Sequence, residues 1–170
     1  MKLAQLMAIG LTVGTIGVSV ATVSADEVRD GSTAASVTLK GGELTFSEIA
    51  PTIAFEDITL TGEAKTVGTK AIAELGINDY RGVDTFWDLL VKETPTDKSF
   101  SEQGLQIKLS PEIDNNGIAQ DVVVSSENEI FAAGKRFETK VNLNPTLDVP
   151  KDLTAGTYAT TVDWTLKPAE

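Results

Sequence analysis

The chain has 170 residues and a formal charge of −11, with 25 acidic against 14 basic residues, and it contains neither histidine nor cysteine. Without histidine, Ser-His-Asp triads, Cys-His pairs and histidine-based metal sites are excluded; without cysteine, the fold is held by its core and not by disulfides. The acidic surplus argues against nucleic acid as a partner, because phosphate binding needs clustered Lys and Arg.

Lys2, an uncharged apolar run over residues 3–23 and the small residues Val23-Ser24-Ala25 ahead of Asp26 predict a secretory signal peptide over residues 1–25. An uncleaved membrane anchor is the competing reading, since the run is just long enough to span. Gly10, Gly14, Gly17 and Gln5 dilute its hydrophobicity and favour cleavage. No later stretch is apolar enough to cross a membrane, and the last residues, Thr165 to Glu170, form neither a hydrophobic tail nor a sorting signal. The expectation is an exported protein, held on the cell, if at all, by non-covalent contact. Residues 26–170 read as one domain, with residues 26–35 as a flexible lead.

Within that domain, short alternating segments follow one another. Val37 and Leu39 alternate, Gly41-Gly42 reads as a turn, and Leu44 and Phe46 alternate again, the pattern of a hairpin. Ile53 and Phe55 share one parity while Ile58 and Leu60 share the other, which a bulge at Glu56-Asp57 would reconcile. Residues 71–75 have helical propensity, but Leu75-Gly76-Ile77 running into Asn78-Asp79-Tyr80-Arg81-Gly82 reads better as a strand entering a loop. In Phe86-Trp87-Asp88-Leu89-Leu90-Val91, apolar residues occupy both parities, as in an internal strand covered on both faces. Leu105, Ile107 and Leu109 alternate up to Pro111. Val122-Val123-Val124 and Ile130-Phe131 are short apolar runs, and Phe137, Thr139, Val141 and Leu143 alternate. The last strand carries Tyr158, Thr160, Val162, Trp164 and Leu166 on one face. Roughly nine or ten short strands and no long amphipathic helix predict an all-β sandwich or barrel-like domain.

Catalysis finds no supporting residue set. Asp114-Asn115-Asn116-Gly117 invites a calcium reading, but the EF-hand pattern places Val123 where its bidentate Glu belongs, so a plain Asx turn is the better reading. No serine lies in a nucleophile-elbow context and no phosphate-binding Gly-rich loop is present. Neither a cofactor nor a metal is implied, and an enzyme is not expected. The aromatic side chains Trp87, Trp164, Tyr80 and Tyr158 remain as candidates for stacking on sugar rings or anchoring a protein. Core placement competes with that role for both tryptophans, because each sits in an alternating apolar strand.

Several of these stretches resemble the WxL-domain surface proteins of low-GC Gram-positive bacteria. Gly42-Glu43-Leu44-Thr45-Phe46, Pro51, Phe55 and Leu60-Thr61-Gly62 are similar to the opening strands of that family. Asp79-Tyr80-Arg81-Gly82 matches its Asp-x-Arg-Gly loop, ahead of a first Trp-x-Leu at Trp87-Asp88-Leu89. Ala155-Gly156-Thr157-Tyr158 through Trp164-Thr165-Leu166 matches the closing motif. Phe86 departs from the pattern, standing where the family often has a small residue.

The resemblance implies a small stand-alone WxL protein on the cell surface, bound non-covalently to cell-wall peptidoglycan and assembling with larger co-encoded surface proteins. The binding motif would be carried by Trp87, Leu89, Trp164 and Leu166, with Asp79, Tyr80, Arg81 and Tyr158 as candidates for exposed contact. A chain this acidic is repelled by an anionic wall polymer within about 8 Å at physiological salt. Two classes of function follow. In one, surface aromatics contact uncharged glycan; in the other, the tryptophans are core and an exposed edge or loop docks a partner surface protein.

Overall fold

A period of two in side-chain character yields strands wherever one face is buried, and all the described strands pair antiparallel. The computed structural model describes residues 33–94, 99–114 and 117–170. The chain divides into two compact units, residues 1–37 and 38–170, and every described strand belongs to the second. The signal peptide expected over residues 1–25, and most of the lead expected over 26–35, lie outside the described residues.

Three four-stranded sheets make up the second unit. The first has the order β1 (Leu44–Ile49), β3 (Glu74–Asp79), β10 (Phe137–Asn142), β6 (Glu112–Ile113). The second runs β2 (Lys65–Val67), β11 (Pro145–Val149), β5 (Gln106–Leu109), β8 (Val122–Val123). The third runs β12 (Thr161–Pro168), β4 (Trp87–Thr94), β9 (Glu129–Gly134), β7 (Ile118–Ala119). At the margins β1 lies beside β12 and β6 beside β7, so the first and third sheets meet along both edges. The fold is an all-β sandwich. Asn144, with φ 42°, turns the chain from β10 in the first sheet to β11 in the second; Asn is among the few residues that tolerate this conformation.

The core takes fully buried side chains from all three sheets: Leu75, Ile77 and Val141; Leu109; Trp87, Leu89, Val91 and Phe131. Each buried aliphatic or Phe side chain contributes about 1.5–3 kcal/mol relative to exposure. β4 supplies the most, and it is internal, with β12 on one side and β9 on the other. Leu90 is buried as well, so both faces of β4 are covered, as the mixed parity of its sequence predicts. The β4–β9 register slips between Leu89 and Leu90, leaving Phe131 as the extra residue on β9.

Several expected elements form differently. Val37 and Leu39 stay exposed and outside any sheet, so the hairpin ending at Phe46 does not form. The reason lies in Gly41-Gly42. Instead of turning, the pair runs against residues 80–81: the Gly42 N–H donates to the Tyr80 carbonyl at 2.6 Å, and a Cβ on Gly41 would strike the Arg81 carbonyl. β1 therefore pairs with β3. Residues 53–60 form no strand; Phe55 makes a single bridge to Thr69. The last strand begins at Thr161, three residues beyond Tyr158. Residues 74–79 are a strand, as preferred over the helix.

Gly134 sits opposite Trp87 in the β4–β9 ladder, and a Cβ there would fall on the indole ring. A fully buried Trp87 has nowhere to move. Gly134→Ala is expected to cost about 1–3 kcal/mol as overpacking, read as a lower urea midpoint with an unchanged slope. A midpoint equal to that of the unsubstituted protein would contradict the packing described.

Candidate functional site

The two Trp-x-Leu motifs lie side by side. β4 and β12 pair antiparallel from Thr161↔Thr94 to Pro168↔Trp87, with Leu166 opposite Leu89 and Trp164 opposite Val91. Their surroundings differ. Trp87 and Leu89 have no exposed surface at all, so neither touches a ligand in this fold. The Trp87 indole N–H has no hydrogen-bond partner among the described residues. Trp164 and Leu166 are half-buried. The Trp164 ring leans on Phe131 with centroids 5.7 Å apart and planes tilted by 56°, a geometry that aromatic pairs favour. The four motif residues thus divide into a buried pair and a pair with one side open.

The Asp-x-Arg-Gly loop is a knot. Asp79 was a candidate for exposed contact, yet only 3% of it is exposed. Its carboxylate accepts from Arg81 Nε at 2.8 Å and Nη2 at 2.9 Å, a bidentate pair, and from the backbone N–H groups of Arg81 and Arg136. Arg81, half-buried and not free, also donates through Nη2 to the carbonyls of Thr85 and Phe86. Gly82, at φ 73°, supplies the left-handed turn that folds this loop back. The knot closes residues 80–86 just before Trp87 and pins the turn between β9 and β10. The Arg81 guanidinium holds the Asp79 carboxyl below the usual carboxylate range; the two backbone donors add to this and burial opposes it.

Tyr80 is exposed, as expected, and its hydroxyl donates to Glu138 Oε1 at 2.9 Å, which raises its pKa. Tyr158 is half-buried, its hydroxyl donating to the Thr154 carbonyl at 2.6 Å.

At the far end of β4 a second buried carboxylate does similar work. Glu93 accepts from the backbone N–H of Phe100 at 2.7 Å and of Ser101 at 3.2 Å, and from the Thr160 hydroxyl. Burial pushes its pKa up, but the hydrogen bonds from Ser101, Thr160 and the Phe100 amide outweigh it, and the net shift is downward. The strand end, the 3₁₀ turn at Ser101–Gln103 and the approach to β12 are thereby tied together.

Beside this anchor runs an open groove between residues 50–60 and 153–164. It consists of two adjoining hollows of about 390 and 540 Å³ that share Ile53, Phe55, Phe100 and Tyr158, and Trp164 lines the first. The Phe55 and Phe100 rings stand 6.4 Å apart. Alternation gives neither phenylalanine a site role: Phe55 falls just before the parity changes, and Phe100 lies outside any alternating run. Among the described residues no group of three or more carboxylates gathers. Asp114 Oδ1 accepts the Lys140 N–H at 2.8 Å, an ordinary backbone role; Asn115 and Asn116 lie outside the described residues.

Against models of protein families, characterised proteins and solved structures, the chain finds no match.

Asp79 and Glu93 both titrate lower folded than unfolded. Each therefore contributes stability that is present above the unfolded value, about 4, and lost as pH falls through the folded value. Denaturation is expected to give near-constant stability from pH 7 to about pH 5 and a decline below about pH 4. Asp79→Asn is expected to lower stability at pH 7 by on the order of 2–3 kcal/mol and to flatten the acid decline. An acid limb identical in both proteins would contradict the role given to Asp79.

Proposed function

We propose that the protein is a non-catalytic surface module, exported and held non-covalently on the Gram-positive cell wall, which binds peptidoglycan. Support comes from one observation above the rest: Trp164 of the second motif, half-buried on β12, lines an open groove together with Tyr158, Phe55 and Phe100. Aromatic walls with hydroxyl and backbone groups at their margins suit a sugar ring, which offers an apolar face and a polar rim. An uncharged glycan also avoids the repulsion that an anionic polymer meets at a protein of charge −11. On this reading Trp87 and Leu89 are the spine and Trp164 and Tyr158 are the contact.

A second reading, docking of a co-encoded surface protein, is favoured by the complete burial of Trp87 and Leu89, which leaves half the motif with a structural role. The two readings separate in the binding of purified peptidoglycan by the isolated protein. Co-sedimentation without any partner supports the first; no sedimentation supports the second.

Tyr158→Ala is expected to weaken sedimentation while retaining the fold. A lost aromatic stack is worth about 1 kcal/mol, or roughly fivefold in affinity. Trp87→Phe is expected to lower stability and leave affinity unchanged. If Trp87→Phe alone abolished binding in a folded protein, the division between spine and contact would be wrong.

A further inference from the structure

Leu89 and Val91 lie in the core, so Leu90, Asp88 and Lys92 point to the other face of β4. Ladder partners share a face. On β12, Lys167 stands opposite Asp88, Thr165 opposite Leu90 and Asp163 opposite Lys92. On β9, Ile130 stands opposite Leu90 and Ala133 opposite Asp88, and Ile118 of β7 pairs with Ala133. Around the buried Leu90 this face reaches solvent: Thr165 is exposed, and Ile130 and Ile118 are 42% and 63% exposed.

The two halves of the face differ. Across β9 and β7 it is aliphatic. Across β4 and β12 it is a square of four charges, Asp88 and Lys92 on one strand with Lys167 and Asp163 opposite them. Every acid has a base for each neighbour along and across the strands. Two acids and two bases leave the square neutral, on a chain whose net charge is −11. Asp163 accepts the Thr94 hydroxyl, and among the described residues neither lysine is held in an ion pair.

Such a square is complementary to itself. Let a second copy lie face to face on the first, related by a half-turn about an axis that crosses the strands at Leu90. Positions before Leu90 then cover positions after it on the same strand. Asp88 meets the partner's Lys92, and Lys167 meets the partner's Asp163, while Leu90, Thr165 and Ile130 meet their own counterparts. Sheets stacked in this way lie about 10 Å apart, a gap that a lysine and an aspartate together span. A half-turn about the axis of β4 would set β12 over β9 and charge over aliphatic side chains.

We infer that the outward face of the third sheet joins two copies of this chain in a twofold, isologous dimer. A wholly acidic or basic partner would find no net charge here, whereas a second copy finds an opposite charge at every corner. Two acidic chains also repel each other least where the local charge is zero. Three strand spacings of ~4.8 Å and seven steps of ~3.4 Å make the face about 14 by 24 Å. That is well below the ~800 Å² each partner buries in a standard interface, so the dimer is weak and forms where the protein is concentrated. The charges set its register more than its strength. Trp164 and Val162 belong to the other face of β12 and line the groove, so both grooves stay open and the inference does not depend on what they take.

The test is sedimentation velocity and amide NMR on the purified protein at up to ~1 mM. The unsubstituted protein is expected to gain mass towards a dimer with concentration, and the amide signals of Leu90, Ile130 and Thr165 to shift in step. Lys92→Glu with Lys167→Glu makes the square wholly acidic; Asp88→Lys with Asp163→Lys makes it wholly basic. Each double variant alone is expected to stay monomeric, and an equimolar mixture of the two to dimerise. Thr165→Lys changes one exposed side chain and sets two like charges at the axis, so it is expected to weaken self-association at least tenfold with an unchanged unfolding midpoint. It carries the test if a double variant fails to fold. A protein that stays monomeric throughout overturns the inference. So does a dimer that survives Thr165→Lys, or a mixture of folded double variants that does not associate.

Discussion

The structure depends on the ladder between β4 and β12. An edge strand laid along an internal one brings two motifs separated by more than seventy residues into a single register, with Leu166 facing Leu89. Antiparallel pairing fixes which side chains share a face, so a slip of one residue would exchange Trp164 with Thr165 and open the core to a hydroxyl. Phe131, bulged out of the β4–β9 register, places its ring against Trp164 and ties the edge strand to the far side of the sheet. The two tryptophans thus belong to one construction and have different duties: one fills the centre, the other closes over it from the margin.

Two carboxylates hold the ends of that construction. Asp79 gathers the loop before Trp87 and the turn before β10; Glu93 gathers the 3₁₀ turn and the residues before β12. Both are buried acids whose bonds go to backbone or to a fixed partner. Buried ionised groups of this kind are costly unless fully bonded, and these two are well bonded. Their bonds to backbone and to fixed partners make them fasteners. One fastener lies beside the open groove, the other beside the turn from which β10 starts.

Much of the fold was legible in the sequence because period-two alternation marks strands directly. β3, β4, β5, β10 and the last strand all follow from it, as does the internal position of β4. Segments governed by something other than alternation were misread. Gly41-Gly42 carries a turn-like signature, but its glycines serve close approach to the 80–81 backbone, a long-range contact that no local pattern records. Asp-x-Arg-Gly reads as an exposed loop because Gly82 bounds it; the bidentate pair with Arg81 depends on geometry across the loop, and the further donor to Asp79 comes from Arg136, far away in sequence. Phe137 counts as an inward residue by parity with Thr139 and Val141. At the very end of the strand it is nevertheless 67% exposed, and nothing in the alternation marks that. The Trp-x-Leu motifs were legible as motifs, and their unequal burial was not, because the same Trp-x-Leu pattern occupies an internal strand in one case and an edge strand in the other.

The measurement that bears most directly on this division is collisional quenching of tryptophan fluorescence in the two single-tryptophan proteins, Trp164→Phe and Trp87→Phe. The account predicts a shielded, blue-shifted Trp87 that acrylamide barely reaches, and a Trp164 that acrylamide quenches and bound peptidoglycan protects. Equal quenching of the two residues, or a Trp164 whose accessibility is indifferent to peptidoglycan, would contradict it.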